Sequence, residues 1–382
     1  MVRWVTPAHN CVRCARWAGC AWGILPPLGT TAIAVNRSSL QTLLLGALLV
    51  ALALALGAFT TSQYVQPLSL DYIEHGGQWQ RHVAVMTGHG GDPWQYRVLA
   101  PYLIEMVMSW CRRFGVEHPV MMSFIGFRVF QDSSVLLLAY AYYRRLGLPV
   151  GPALLGLGVL AWSMSYSHYN SDLQFSTFFD VMFYLLAGWC LLADKLTWII
   201  PLTLFAALNR ETSALIPMLV LTTSVFAMED RAWRRVWPLA ATATAVYVAV
   251  FIGLRASYGP QDLLLPSGHH FGLDMLQYNL ARSVTWSELL VTLGVVPLAA
   301  LLNYRAWPQI LRVTFWTIMP VWLLVHLFAA VLAEARLMLV PQALVFIPGA
   351  LAGLNAVSMT DRTRSSRTET VTRLAFRSYR RR

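Results

Sequence analysis

The residues in this chain best placed to do acid–base or anion chemistry are carboxylates and arginines that break into apolar runs. Asp71 follows the first long apolar segment, with Glu74 and His75 close behind it. A carboxylate at such a place can take a proton from a hydroxyl, the task of a general base. Asp71 and Glu74 are the candidate catalytic pair, and either could be the base. Arg97 opens the apolar stretch YRVLAPYLIEMVMSWCRRFG, where its guanidinium could grip a phosphate with two parallel hydrogen bonds. The run NRET places Asn209, Arg210 and Glu211 between two apolar runs with no long loop to hydrate them. Glu334 and Arg336 repeat that pattern in VLAEARLMLVP, and Asp172 sits in the polar run HYNSDLQF. His269 and His270 follow PSG in a further polar loop. Arg97, Asp172, Arg210, Glu211, His269, His270, Glu334 and Arg336 are therefore the candidate substrate-binding residues.

Each has a plainer reading. Asp71 can be a solvated loop acid, and Arg97 can snorkel to lipid headgroups. Arg210 and Glu211 are adjacent, so on a helix they diverge and need separate partners. Asp92 begins an Asp-Pro turn and reads as a cap or turn residue. Arg128 and Asp132 lie four apart and can pair on one helical face. No metal site and no cofactor are expected. Cys11 and Cys14 form a lone C-x-x-C without the further ligands a zinc site needs. His269 and His270 would hold a metal only with help from residues such as Asp274 or Asp71. Walker loops, G-x-G-x-x-G, H-E-x-x-H and G-x-S-x-G are all missing from the sequence.

The elements that must position these residues are membrane helices. Of 382 residues, 57% are hydrophobic and 12% charged, about half the charge of a soluble domain. Apolar runs near the length that crosses a bilayer recur throughout. They fall at about 40–59, 120–143, 150–167, 174–193, 196–209, 213–228, 236–254, 285–302, 313–332 and 337–356, ten in all. The expected fold is all-α, a polytopic transmembrane helix bundle of about ten spans. A cytoplasmic segment, 1–38, precedes it and could reflect a mis-assigned start codon. The transmembrane domain covers 39–358, with an outer loop at 60–119, and a basic cytoplasmic tail fills 359–382. Placing residues 98–113 at the outer interface as an amphipathic helix, not as a span, leaves twenty of the 29 Lys and Arg on the cytoplasmic side. The net charge of +11 thus reflects topology and contact with membrane lipids, with no nucleic-acid partner expected. Both termini fall in the cytoplasm, and the polar candidates gather on the opposite face.

This layout resembles the GT-C superfamily of integral membrane glycosyltransferases. The acid in the first large outer loop, the segment DPWQYRVLAP, the NRET run and the late EAR before LMLVPQAL carry the resemblance. It implies a bacterial plasma-membrane enzyme of the cell envelope that uses a polyprenyl-phosphate-linked sugar donor. It also implies inverting transfer of the sugar to an acceptor hydroxyl on a glycan, lipid or protein, with Asp71 in the base position. Arg97, Arg210 and Arg336 would face the donor phosphate, oriented by Glu211 and Glu334. This chain carries DYIEH where a paired-acid motif would stand, so Asp71 and Glu74 both stay open as the base. A transporter or flippase of a lipid-linked or anionic substrate, or a structural membrane subunit, would use the same residues without bond chemistry.

Overall fold

The computed structural model describes residues 37–167, 175–227, 233–264 and 269–355. The chain divides into two compact units, Met1–Leu45 and Gly46–Arg382, and all contacts below lie in the second. The described residues are helical, with one isolated β-bridge and no strand.

Five helices are long and apolar enough to cross a membrane: Leu40–Leu68, Pro119–Arg145, Arg234–Tyr258, Gln309–Ala329 and Ala335–Asn355. A bent pair, Ser283–Leu293 and Val296–Leu302, makes a sixth if it is one span broken by 68°. Four shorter apolar helices occupy Val150–Ser165, Ser176–Leu192, Leu196–Asn209 and Glu211–Phe226. In chain order the helices used below are α1 (Arg37–Leu68), α2 (Leu70–Glu74), α3 (Gly77–Met86), α4 (Leu99–Arg113), α5 (Pro119–Arg145), α6 (Val150–Ser165), α7 (Ser176–Leu192), α8 (Ile199–Asn209), α9 (Leu215–Phe226), α10 (Trp233–Tyr258), α11 (Leu273–Ala281), α12 (Ser283–Leu293), α13 (Val296–Leu302) and α14 (Gln309–Ala329).

The first helix runs on past the boundary expected at Phe59 and ends only at Leu68. Hydropathy drops at Thr60, but the polar side chains there are satisfied inside the bundle. Thr60 Oγ1 donates to the Leu56 carbonyl, Thr61 Oγ1 to buried Asp132, and the Tyr64 hydroxyl to Gln78. A helix can therefore continue through residues that look loop-forming. The segment between this helix and Pro119 is itself mostly helical. In α4, Ala100, Ile104 and Met108 recur every fourth residue and are buried, while Tyr102, Met106 and Trp110 are exposed. That is the pattern of a helix lying on a surface.

The core gathers around the last helix, Ala335–Asn355, whose most apolar 18-residue stretch is 89% buried. A π-helical turn at Gln342–Phe346 widens its backbone. Tyr143 and Tyr142 on α5 donate their hydroxyls to the Ala343 and Leu344 carbonyls in that turn, each at 3.0 Å. In an apolar interior an unmatched carbonyl is costly, so these two tyrosines anchor the turn. Gly188 on α7 leaves the room they need, because a Cβ there would stand 2.8 Å from the Tyr142 ring. Elsewhere on α5, the Arg128 guanidinium lies over the rings of Tyr64 and Phe175, at 4.0 and 4.4 Å.

Candidate functional site

A cavity of about 280 Å³ opens where four irregular segments meet. Its charged lining consists of Asp92, Arg97, Arg210, Glu211, Arg255 and Glu334, and its apolar lining includes Trp94, Leu264, Phe271 and Leu337.

The first segment, Asp92–Arg97, is pinned from several sides. Buried Gln95 accepts from the Gly90 amide at 2.7 Å and donates to the Val85 carbonyl at 3.0 Å. The Tyr96 hydroxyl donates to the Gly259 carbonyl, just past α10. The backbone of Asp92 makes a two-way bridge, its amide donating to the Asp262 carbonyl at 2.8 Å while its carbonyl accepts from the Leu264 amide at 3.0 Å. Gly91 beside it has φ +73°, and a Cβ there would meet Leu264 Cδ1 at 2.7 Å. The positive φ favours glycine at this position, and a Cβ would also displace the Leu264 side chain.

The second segment is the NRET run. Apolar α8 ends at Asn209, Arg210 is fully extended, and Glu211–Ala214 forms a single 3-10 turn. The break is stable because neighbouring helices take up the freed groups. Asn209 Nδ2 donates to the Ser176 carbonyl, Thr212 Oγ1 to Asp180, the Tyr184 hydroxyl to the Thr212 carbonyl and the Tyr247 hydroxyl to the Glu211 carbonyl. Arg210 Nη1 lies 3.8 Å from fully buried Asp180 Oδ2 and 3.5 Å from Thr177 Oγ1.

The third segment is the C-terminal end of α10, where Arg255 is clasped between rings. Its guanidinium carbon lies 3.6 Å from the Phe251 centroid and 4.3 Å from that of Tyr96. The fourth is the turn after α14. Buried Asn279 on α11 holds it, donating to the Leu327 and Ala330 carbonyls and accepting from the Leu332 amide. Trp322 Nε1 donates to the Leu337 carbonyl.

Charges around the cavity are mostly matched. Arg97 directs Nε and Nη2 at one oxygen of Glu211, at 3.2 and 3.0 Å. Arg336 Nη2 lies 2.6 Å from Glu334. Asp92 and Arg255 differ: neither enters an ion pair among the described residues, although the Arg255 charge acts on Asp92. Burial pushes the Asp92 carboxyl above the usual carboxylate range, Arg255 and Arg97 pull it back, and Glu211 adds to the rise.

Of the residues singled out in the sequence, Arg97, Arg210, Glu211 and Glu334 line this cavity, with Arg336 behind Glu334. Asp71 and Glu74 do not. Asp71 sits on α2 with its side chain 87% exposed, 3.3 Å from His75 Nδ1 one turn on. Glu74 lies 3.0 Å from His118 Nδ1. His269 approaches Asp274 at 3.3 Å, and the His270 amide donates to the same carboxylate, while the next residue, Phe271, reaches the cavity. Asp172 and the C-x-x-C pair lie outside the described residues. No group of three or more His, Cys, Asp or Glu side chains is arranged to hold a metal among the described residues.

Asp92, Asp180 and Arg255 were missed as site residues. Asp92 looks like a turn former and is one, but it also presents a carboxylate to the cavity. Asp180 lies inside an apolar helix, and an acid there is itself a signal. Arg255 marked only the start of a loop, and nothing local tells that Tyr96 will stack on it. No protein-family model, no curated protein and no solved structure matches this chain.

Proposed function

We propose that this chain is an integral membrane glycosyltransferase that moves a sugar from a polyprenyl-phosphate donor to an acceptor hydroxyl, with inversion. One observation carries the reading: a half-buried carboxylate and an arginine, Asp92 and Arg255, share a cavity whose other charges are paired. Glu211 and Glu334 are each held by an arginine, so Asp92 is the cavity acid best placed to accept a proton. The resemblance alone would put the base at Asp71 or Glu74, and the geometry favours Asp92.

In the proposed reaction Asp92 removes the acceptor hydroxyl proton. The oxygen then attacks the anomeric carbon on the face opposite the phosphate. The carbon–oxygen bond to phosphate breaks, and its electron pair leaves with the polyprenyl phosphate. One carboxylate suffices because phosphate is a good leaving group, unlike the alkoxide that glycosidases must protonate. Arg255 offers the guanidinium edge that no protein carboxylate occupies, and Arg210 adds charge beside it, so both stabilise the phosphate as it develops. Trp94 and Phe271 supply apolar surface for the sugar ring. In this reading the ten apolar helical segments form a GT-C-like bundle in a bacterial plasma membrane. The cavity opens on the non-cytoplasmic side, where a lipid-linked donor is reachable from the bilayer.

The test is conversion of a panel of polyprenyl-phosphate hexoses and pentoses by purified protein, with released polyprenyl phosphate read by mass spectrometry. Release by the wild type and its loss in Asp92→Asn support the reading. Release undiminished in Asp92→Asn removes Asp92 from the chemistry.

The bent pair α12–α13 and the break between α8 and α9 favour a second reading, a transporter of the same anionic lipid. Transport would move the intact donor across vesicle membranes without releasing free polyprenyl phosphate.

A further inference from the structure

We propose that the groove between α9 and α14 binds the phosphate headgroup of an anionic membrane phospholipid. This groove is separate from the cavity above, and the inference rests on membrane embedding alone, not on the glycosyl-transfer reading. Its volume is about 630 Å³, and Thr222 and Phe226 of α9 face Arg312 and Trp316 of α14 across it, with Tyr304 at one end.

Nearly every polar group there is already satisfied. Thr222 and Thr317 share a hydroxyl hydrogen bond at 2.7 Å. Gln309 Nε2 donates to the Phe226 carbonyl, and Trp316 Nε1 donates to the Tyr304 hydroxyl at 2.9 Å. Arg312 is the exception. Its Nε is closed off from solvent, and among the described residues its two terminal nitrogens, the ones the groove can reach, meet no acceptor. Among the described residues the guanidinium enters no ion pair. The reachable edge is thus the pair of terminal nitrogens, and phosphate oxygens are the partners that this planar fork fits best.

The walls decide which phosphate. Phe226 and Trp316 are each 64% exposed and lie on apolar helices, so in a bilayer they would present apolar surface to a lipid. Trp316 and Tyr304 are the residue types that settle at headgroup depth. No carboxylate lies among the groove's lining residues, so the Arg312 charge favours a net-anionic headgroup over a zwitterionic one. A soluble phosphate would gain nothing from these walls, whereas a phospholipid would lay its chains along them.

The experiment is native mass spectrometry of the full chain released from membranes of defined composition, phosphatidylglycerol or phosphatidylcholine, paired with thermal unfolding in detergent. The wild type should retain phosphatidylglycerol and melt higher with it than with phosphatidylcholine. Arg312→Gln should bind it roughly tenfold more weakly, and Arg312→Lys should fall between. Equal retention of both lipids by the wild type would overturn the proposal. Unchanged phosphatidylglycerol binding in Arg312→Gln, or equal stabilisation of the wild type by inorganic phosphate, would do the same. Should Arg312→Gln fail to fold, the ordering of wild type over Arg312→Lys for phosphatidylglycerol alone decides the matter.

Discussion

Arg97 reaches across 114 residues of sequence to place Nε and Nη2 on the same oxygen of Glu211, at 3.2 and 3.0 Å. This ion pair joins the segment after Asp92 to the break between α8 and α9. It therefore fixes two walls of the cavity relative to each other. It also matches both partners' charges, whereas Asp92 and Arg255 on the same cavity enter no ion pair among the described residues.

Breaking that pair should destabilise the protein. Arg97 is nearly buried, so Glu211→Gln leaves a guanidinium without its counter-charge. The loss should approach the lower end of roughly 3–5 kcal/mol, because Glu211 keeps some solvent contact. Thermal unfolding in detergent measures it. The double replacement Arg97→Met with Glu211→Leu should recover part of the loss, and no recovery would mean that the pair does not act as a unit.

Arg255 should govern donor affinity more than folding, since its own protein contacts are ring faces. Arg255→Lys keeps a charge but loses the planar fork. KM for the lipid-phosphate donor should rise roughly tenfold to a hundredfold, the worth of hydrogen bonds to a charged group. The melting temperature should change little. Kinetics at saturating acceptor provide the check, and an unchanged KM would take Arg255 out of the phosphate site.

The acid limb of the pH–rate profile should report Asp92. A base works only when ionised, so activity should rise with pH through its raised pKa, above the ordinary 3.8. Removing Arg255 withdraws a positive charge that lowers this pKa, so Arg255→Gln should move the limb to higher pH. The stability linkage has the opposite slope to activity. The folded state holds the Asp92 proton more tightly than the unfolded chain. Its contribution to stability is therefore present below pH 3.8 and lost as pH rises through the folded pKa. Parallel rate and unfolding titrations would expose a wrong sign in either.

Gly91→Ala should loosen the bridge that holds Asp92. The residue needs φ +73°, and its Cβ would press on Leu264. A cost of roughly 1–3 kcal/mol is expected from a non-glycine residue in that conformation. Activity should fall further than stability, because the displaced residue is next to the proposed base. A fully active variant would show that the bridge does not position Asp92.

The apolar runs announced most of the helices, because a segment that must satisfy its own backbone in lipid carries that demand in composition. The boundary after α1 was misread for a physical reason. Thr60, Thr61 and Tyr64 look like loop residues, yet each finds a partner inside the bundle. Arg210 and Glu211 were visible because they interrupt apolar sequence, and their cost demands partners. Asp92 and Arg255 were not, since the bridge to Leu264 and the stack on Tyr96 join segments far apart in the chain. Asp71 drew attention by its place in the loop, but its neighbours leave it in solvent beside His75.

The most direct test of the central claim compares Asp92→Asn with Asp71→Asn, matched for folding by thermal unfolding. The quantity measured is release of polyprenyl phosphate from a lipid-linked sugar. Loss of a positioned base should lower the Asp92→Asn rate roughly 10²–10⁴-fold, while Asp71→Asn stays close to wild type. The reverse pattern, an inert Asp71→Asn beside an active Asp92→Asn, would contradict the assignment and return the chemistry to the exposed loop acid.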